Sequence, residues 1–137
     1  MDNYSFIIKP ATEEHTIYAS MITDEMEQSA KARGTGIAKR SPEYIITKMM
    51  EGKAVIATTS EGEWAGFCYI EAWGHGKFVA NSGLIVAPQF RKYGLARKIK
   101  QEVFKLSRNK YPESKIFGLT TGAAVMKINS ELGYIPV

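Results

Sequence analysis

The order of apolar and polar residues in the first third of the chain predicts one strand and two helices. Residues 4–9 have the composition of a strand that ends at Pro10, and Thr12 before two glutamates is typical of a helix start. The apolar positions of this first helix recur at helical spacing: Ile17, Met21, Ile22 and Met26. A glycine-containing break at residues 34–36 ends it. A second helix, capped by Ser41, has its apolar positions at Ile45, Ile46, Met49 and Met50.

The middle of the chain consists of short apolar runs separated by turns. These runs predict an antiparallel meander of three strands, Ala54–Thr59, Trp64–Trp73 and Phe78–Val86. A long basic amphipathic helix follows from about residue 93 to 109, with an apolar side formed by Leu95, Ile99, Val103 and Leu106. A short apolar strand at 116–120 and a last helix at 123–132 complete the pattern.

This order of elements predicts a mixed fold of the α/β (α+β) class. The unit from residue 78 to 120 is a strand–helix–strand crossover, and such crossovers are right-handed with parallel strands. The remaining strands are joined by short connections and are therefore expected to be antiparallel. We expect a mainly antiparallel sheet flanked by helices, in one domain over residues 1–137.

Composition indicates the cellular compartment of the domain and excludes some kinds of site. No apolar run approaches the ~20 residues that span a bilayer, and the N-terminus lacks the pattern of a secretory signal. The single cysteine, Cys68, excludes an intrachain disulfide and a multi-cysteine metal site. We therefore expect a cytoplasmic protein with no membrane partner and no bound metal.

Positive charge is concentrated in one stretch. Residues 91–115 contain nine Lys or Arg against two acidic residues, within a chain of net charge +4. A local basic field indicates an anionic ligand, which could be a phosphorylated cofactor, a nucleic acid or an acidic lipid surface. The stretch has no recognition motif and no interleaved exposed aromatics, so we expect no nucleic-acid partner.

The junction between the third meander strand and the basic helix carries the strongest signal. An apolar strand ends at Pro88, and a glycine-bearing loop then leads into the helix. Backbone N–H groups at a helix start have no partner within the helix, and together with the helix dipole they form an anion site. Gly94 and the small Ala96 let the backbone come close to such an anion. The residues themselves predict a phosphate-bearing ligand here.

The loop sequence resembles the cofactor loop of the GNAT acetyltransferase superfamily. That loop has Arg or Gln, two variable residues, Gly, one variable residue, and Gly or Ala; here it is Arg91-Lys92-Tyr93-Gly94-Leu95-Ala96. The preceding strand, the order of elements and the Gly133-Tyr134 pair also resemble that family. The resemblance implies an acetyl-CoA-dependent N-acetyltransferase, in which the acceptor amine attacks the thioester directly.

The resemblance also assigns roles along the chain. The loop amides would hold the pyrophosphate of acetyl-CoA, with Arg97 adding positive charge. The main chain of Ile85 and Val86 would pair with the pantetheine arm, and a backbone N–H near Val86 would bind the acyl oxygen. Many relatives have a tyrosine acid where this chain has Asn129, which can donate a hydrogen bond to sulfur but cannot act as an acid.

Two questions about the chemistry stay open in the sequence. The thiolate could leave with help from water, Tyr93 or Tyr134, instead of an acid at position 129. The general base could be Glu71, in the central strand, or His75, in the turn that follows it.

The acceptor is indicated by two features. Arg33, Lys39 and Arg40 flank the glycine-containing break, which overhangs the acceptor site in GNAT enzymes, and an arginine there suits a carboxylate. The segments Leu119-Thr120-Thr121 and Glu131–Tyr134 are similar to the end of the acetyltransferase domain of N-acetylglutamate synthases, with about two extra residues between them. The similarity implies an acidic amino acid such as glutamate, with Thr121 at its site.

Two alternatives accompany this interpretation. A non-catalytic acyl-CoA sensor with the same fold fits the absence of the tyrosine acid and of an obvious base. GNAT domains also continue beyond the Gly-aromatic pair into further strands. The resemblance therefore implies that a final strand is missing here or is supplied by a partner, which would favour a homodimer.

Overall fold

The structure is a computed structural model that describes residues 5–32, 34, 40–118 and 132. The strands in these ranges are β1 (Phe6–Pro10), β2 (Ala54–Thr59), β3 (Trp64–Trp73), β4 (Phe78–Val86) and β5 (Lys115–Gly118). The helices are α1 (Ala19–Ala32), α2 (Pro42–Met50) and α3 (Leu95–Lys110), with 3₁₀ helices at Glu13–Tyr18 and Pro88–Phe90.

The strands form one sheet in the order β1-β2-β3-β4-β5. Neighbouring strands are antiparallel except β4 and β5, which pair in parallel through the crossover helix α3. The predicted α/β class, the antiparallel meander and the single parallel crossover are confirmed. Strands β2, β3 and β4 have the predicted bounds, because each is a short apolar run between turn residues.

A β-bulge in β4 shapes the region that matters for function. Phe67 of β3 faces Ile85 of β4, but Tyr69 faces Ser82, so β4 contains one extra residue. Gly83 lies at this point with φ +67°, a left-handed conformation that glycine adopts without strain. Within the described residues, β5 pairs with β4 only up to Asn81, so the bulge and the end of β4 lie beyond that pairing.

The two faces of the sheet are covered by different helices. Helix α3 comes close to β3 because Gly66 has no side chain: a Cβ there would lie 2.5 Å from Ile99 Cδ1. On the opposite face, Met26 of α1 lies against Gly83 of the bulge, and Lys48 of α2 reaches Glu71 of β3. The sheet therefore separates a surface lined by α3 from a surface lined by α1 and α2.

The first helical region differs from its prediction. It begins as a 3₁₀ helix and becomes α-helical only at Ala19. The 3₁₀ helix has three residues per turn, which shifts the phase of the pattern. Ile17 and Met21, predicted to be core residues, are consequently 78% and 53% exposed, while Ile22 is fully buried.

Smaller differences concern the ends of elements. Strand β1 includes Pro10, and Met50, the last residue of α2, is 57% exposed rather than part of its apolar face. Helix α3 begins at Leu95 instead of residue 93, because Gly94 adopts the left-handed conformation and serves as its N-cap. Residues 119 and 120 of the last predicted strand and the predicted helix 123–132, apart from Leu132, lie outside the described residues.

Candidate active site

The loop before α3 has the geometry of an anion site. Gly94 has φ +72° and ψ +18°, and among the described residues no atom beyond its two chain neighbours lies within 4 Å of the position that a Cβ would take. The first turn of α3 contains no acidic residue. The first N–H groups of α3, which have no partner within the helix, therefore follow directly on a backbone position that a ligand can approach closely.

The guanidinium of Arg91 is engaged by neighbouring protein groups. Its Nε donates to the Val86 carbonyl at 3.1 Å, and its Nη2 lies 3.2 Å from Glu25 Oε2 and 3.1 Å from Ser29 Oγ. Arg91 thus ties α1 to the end of β4. The remaining positive charge at the loop comes from three exposed side chains, Lys92, Arg97 and Lys98.

The other side chains of the loop anchor it to the sheet. The Tyr93 ring lies 5.6 Å from the Phe6 ring of β1 and 6.3 Å from the Phe90 ring, between centroids. Leu95 is buried, and Ala96 is half-buried. The side chains of Tyr93 and Leu95 are therefore packing residues, and these two positions can contribute only backbone groups to an anion site at the loop.

The end of β4 presents backbone groups on the side away from β3. Ala87 N–H donates to the Ala65 carbonyl at 2.8 Å, which fixes the alternation of hydrogen bonds along β4. Ile85 then directs its N–H and C=O toward β3, opposite Phe67, and Val86 directs its own groups away. Within the described residues, the Val86 N–H therefore points to the side of β4 away from β3, where the Val86 carbonyl accepts from Arg91 Nε, whereas Ile85 is paired with β3.

Glu71 is the centre of a charged cluster on the face covered by α1 and α2. The Tyr44 hydroxyl donates to Glu71 Oε1, and Lys48 Nζ lies 3.4 Å from Oε2. Lys48 Nζ also donates to the Ile70 carbonyl at 2.8 Å. Burial raises the pKa of Glu71, while nearby Arg40 lowers it. A carboxylate whose pKa is raised is a better proton acceptor near neutral pH.

Arg40 lies at the same cluster. Its Nε donates to the Tyr69 hydroxyl, and its guanidinium carbon is 5.6 Å from the centroid of the Tyr69 ring. Tyr69 is buried against the bulge at Gly83, and its ring meets the Tyr44 ring edge to face at 5.7 Å. The structure therefore brings together one anchored cation and one carboxylate from the predicted set, Arg40 and Glu71.

Several predicted residues are not part of this cluster. His75 is exposed in the turn after β3, has φ +57°, and lines a shallow cleft with Lys110 and Tyr111 at the end of α3. Four predicted residues and one alternative lie outside the described residues: Arg33, Thr121, Asn129, Lys39 and Tyr134.

Sequence reasoning missed Tyr44, Lys48 and Tyr69. A signal for the first two was present, since a tyrosine and a lysine four residues apart share one face of α2. Tyr69 precedes Glu71 by two residues and so shares its face of β3. The link between these two pairs depends on how α2 packs on the sheet.

No protein-family model and no curated protein matches the sequence, but solved structures match the fold. A GNAT-family acetyltransferase from Staphylococcus aureus superposes with TM-score 0.73 and 12% identity, over 94% of this chain and 82% of that one. The chain has the GNAT fold.

Two further GNAT-fold neighbours were solved with ligands. Diaminobutyrate acetyltransferase from Paenibacillus lautus, in complex with L-2,4-diaminobutyric acid and coenzyme A, has TM-score 0.68 and 12% identity over 96% of this chain and 75% of that one. N-acetylglutamate synthase from Neisseria gonorrhoeae, complexed with coenzyme A and N-acetyl-glutamate, has TM-score 0.70 and 16% identity over 94% of this chain. The present chain spans 28% of the synthase.

The described residues were also compared with the requirements of a metal site and of a membrane-spanning helix. In ranges 5–32 and 40–118, no three His, Cys, Asp or Glu residues are grouped so that they could hold a metal ion. None of α1, α2 and α3 is long and apolar enough to cross a bilayer.

Proposed function

We propose that this GNAT-fold protein is an acetyl-CoA-dependent N-acetyltransferase that acts on a small amine. The observation that carries the proposal is the left-handed Gly94 at the start of α3, which follows a strand end where the Val86 N–H points away from β3. A pyrophosphate fits the first site, and an extended amide-containing arm fits the second. The presence of coenzyme A in two neighbours of the same fold supports this donor.

The reaction needs no nucleophile from the protein. Glu71 takes a proton from the acceptor ammonium, and the amine then forms a C–N bond with the thioester carbonyl. A backbone N–H of β4 near the bulge stabilises the oxyanion of the tetrahedral intermediate. The nitrogen of the intermediate then gives up its extra proton, the C–S bond breaks as the carbonyl re-forms, and the leaving thiolate takes up that proton, directly or through water. That Asn129 donates a hydrogen bond to this sulfur stays a prediction.

For the acceptor we propose an acidic amino acid such as glutamate. The amine would bind at Glu71, and a carboxylate would bind at Arg40, whose Nε and ring contacts with Tyr69 fix the plane of the guanidinium. The structural neighbour crystallised with N-acetyl-glutamate supports the same class. Roles for Arg33 and Thr121 at this site are part of the proposal.

Two measurements test the proposed function. Saturating coenzyme A and acetyl-CoA should raise the melting temperature, because a ligand that binds only the folded state must stabilise it. Thiol release from acetyl-CoA should then be fastest with L-glutamate among amino acids, polyamines and peptides. Glu71→Gln should keep the thermal shift and lose turnover.

The outcomes separate the alternatives. An unmoved melting curve with both coenzyme A and acetyl-CoA would contradict the donor site. A thermal shift without thiol release for any acceptor would indicate a non-catalytic acyl-CoA sensor instead of an enzyme.

A further inference from the structure

Both oxygens of the Glu71 carboxylate are held by residues of a single helix. Tyr44 and Lys48 lie four residues apart on α2, so their side chains project from the same face, one turn apart. The Tyr44 hydroxyl donates to Oε1, and the Lys48 ammonium lies 3.4 Å from Oε2. Such a two-point contact fixes the orientation of the carboxylate on β3.

Lys48 is itself immobilised. Its side chain is buried, and its Nζ donates to the Ile70 carbonyl at 2.8 Å. The ammonium lies 5.5 Å from the centroid of the Tyr44 ring and 5.7 Å from that of Tyr69. Burial lowers the pKa of Lys48, because removing water from around the ammonium costs free energy. An apolar side chain of similar length would avoid that cost, so packing alone does not account for a lysine here.

The other charged and titratable groups around Glu71 are few in the described ranges. Arg40 precedes α2, and Tyr69 lies two residues before Glu71 on the same face of β3. Strand β4 presents Ala80 opposite Glu71 and thus adds no titratable group there. Near Lys48, Lys53 and Glu51 form a pair at 3.8 Å before β2.

We propose that Tyr44 and Lys48 are positioning residues that orient the Glu71 carboxylate toward the acceptor amine and keep it ionised at neutral pH. The inference rests on the proposed function, because it assigns to Glu71 the role of proton acceptor. A nearby ammonium and a donated hydrogen bond both favour the charged carboxylate and oppose the effect of its burial. Losing either contact therefore raises the pKa of Glu71, and the acid limb of the activity profile moves to higher pH.

The test compares four variants. Lys48→Met removes the ammonium, Lys48→Arg retains a cation, and Tyr44→Phe removes only the hydroxyl. Lys105→Met is the matched control, since Lys105 also pairs with a glutamate, Glu102 at 3.5 Å, but on α3 on the opposite face of the sheet. The direct readout is the carboxyl carbon resonance of Glu71 followed by NMR against pH, assigned through Glu71→Gln.

In this titration the midpoint of Glu71 should move to higher pH in Lys48→Met and, to a smaller extent, in Tyr44→Phe. It should stay unchanged in Lys48→Arg and Lys105→Met. With acetyl-CoA and L-glutamate as probes, kcat/KM of Lys48→Met should fall about tenfold near pH 6 and less than about twofold near pH 9.

An unchanged Glu71 midpoint in Lys48→Met overturns the inference, whatever the activity. An equal loss of kcat/KM at all pH values does so too, because it indicates a purely structural contact. If Lys48→Met does not fold, Tyr44→Phe decides by the same criteria. The NMR titration needs no turnover, so failure of the inference and failure of the proposed function can be told apart.

Discussion

Two glycines, Gly94 and Gly62, allow the proposed cofactor loop to be tested at the scale of single residues. Both have positive φ, +72° and +91°, and no atom of the described residues, chain neighbours apart, lies within 4 Å of where a Cβ would stand. Valine at either position should destabilise the fold by about 1–3 kcal/mol, because a β-branched residue is strained there. Only Gly94→Val should also lose affinity for coenzyme A, since its side chain blocks the approach of the pyrophosphate.

Thermal unfolding and calorimetric titration with coenzyme A measure the two effects separately. Gly62→Val serves as the control for backbone strain, because Gly62 lies in the β2–β3 turn. Retained coenzyme A affinity in Gly94→Val would mean that the loop is not the phosphate site.

A substitution of Arg40 tests, also at the scale of single residues, whether the acceptor carries a carboxylate. Losing a charge-assisted contact with a carboxylate costs about 1.5–3 kcal/mol, or roughly a tenfold to hundredfold loss of rate. Arg40→Ala should therefore lower kcat/KM for L-glutamate by that factor and leave coenzyme A affinity nearly unchanged. Lys31→Ala, at an exposed ion pair with Glu27, is the control. Polyamines or peptides as better substrates would contradict the acidic acceptor.

The residues of the acceptor cluster differ in how far sequence could predict them. Arg40 could be proposed because the resemblance to GNAT enzymes implies that the glycine-containing break overhangs the acceptor site, and Glu71 because it lies in the central strand. Tyr69 could not, because a buried tyrosine has no local signature of function. The spacing of Tyr44 and Lys48 places them on one face of α2, but it does not show what that face contacts. Their roles arise only from contacts between α2 and β3.

At the scale of elements, the 3₁₀ helix Glu13–Tyr18 carries a cap that depends on pH. Thr12 N–H donates to His15 Nδ1 at 2.9 Å, so the cap requires this nitrogen to be unprotonated. Burial lowers the pKa of His15 from 6.5. Because the folded value lies below the unfolded one, the associated stability is complete above pH 6.5 and is lost as pH falls through the folded pKa.

His15→Gln should remove this dependence while keeping the cap, because glutamine serves the same position in a capping box. The free energy of unfolding, measured by denaturant titration between about pH 7 and 5, should then fall less steeply than in the wild type. The difference is bounded by about 1.4 kcal/mol per pH unit, the limit for one proton. His75→Gln, at the other, exposed histidine, should keep the wild-type slope. Equal slopes in all three proteins would refute the assignment.

Element boundaries were predictable where the local signal was sharp. Strands β2, β3 and β4 are bounded by turn residues, and their limits follow from the pattern. The first helical region begins after Thr12 as predicted, but the type of its first turns was not predictable, since α and 3₁₀ turns share the same capping residues. As a result, Ile17 and Met21 were predicted to be buried but are exposed.

At the scale of the whole molecule, uneven charge should make donor binding depend on salt. The net charge is +4, and three exposed cations surround the start of α3, namely Lys92, Arg97 and Lys98. Raising NaCl from about 0.05 to 0.5 M should weaken coenzyme A binding by roughly tenfold, because salt screens exposed charges. Pantetheine, which lacks the phosphates, is the control and should show little dependence. Equal salt dependence for both ligands would contradict a phosphate site.

The order of the described elements, the parallel crossover and the place of the glycine-bearing loop before α3 were determined by the sequence alone. These features depend on short-range patterns: alternation in strands, helical spacing, and a glycine whose left-handed conformation ends one element and begins the next. The loop Arg91–Ala96 can be located from the order of residues, because a helix start creates an anion site wherever it occurs.

Only the tertiary structure decided which groups meet. The bulge at Gly83 and the register of β3 with β4 determine that the backbone groups of Val86, and not those of Ile85, point away from β3. The packing of α2 on β3 determines that Lys48 reaches Glu71 across more than twenty positions of sequence. Such contacts depend on the relative placement of elements, which burial and side-chain packing set jointly and which no local pattern encodes.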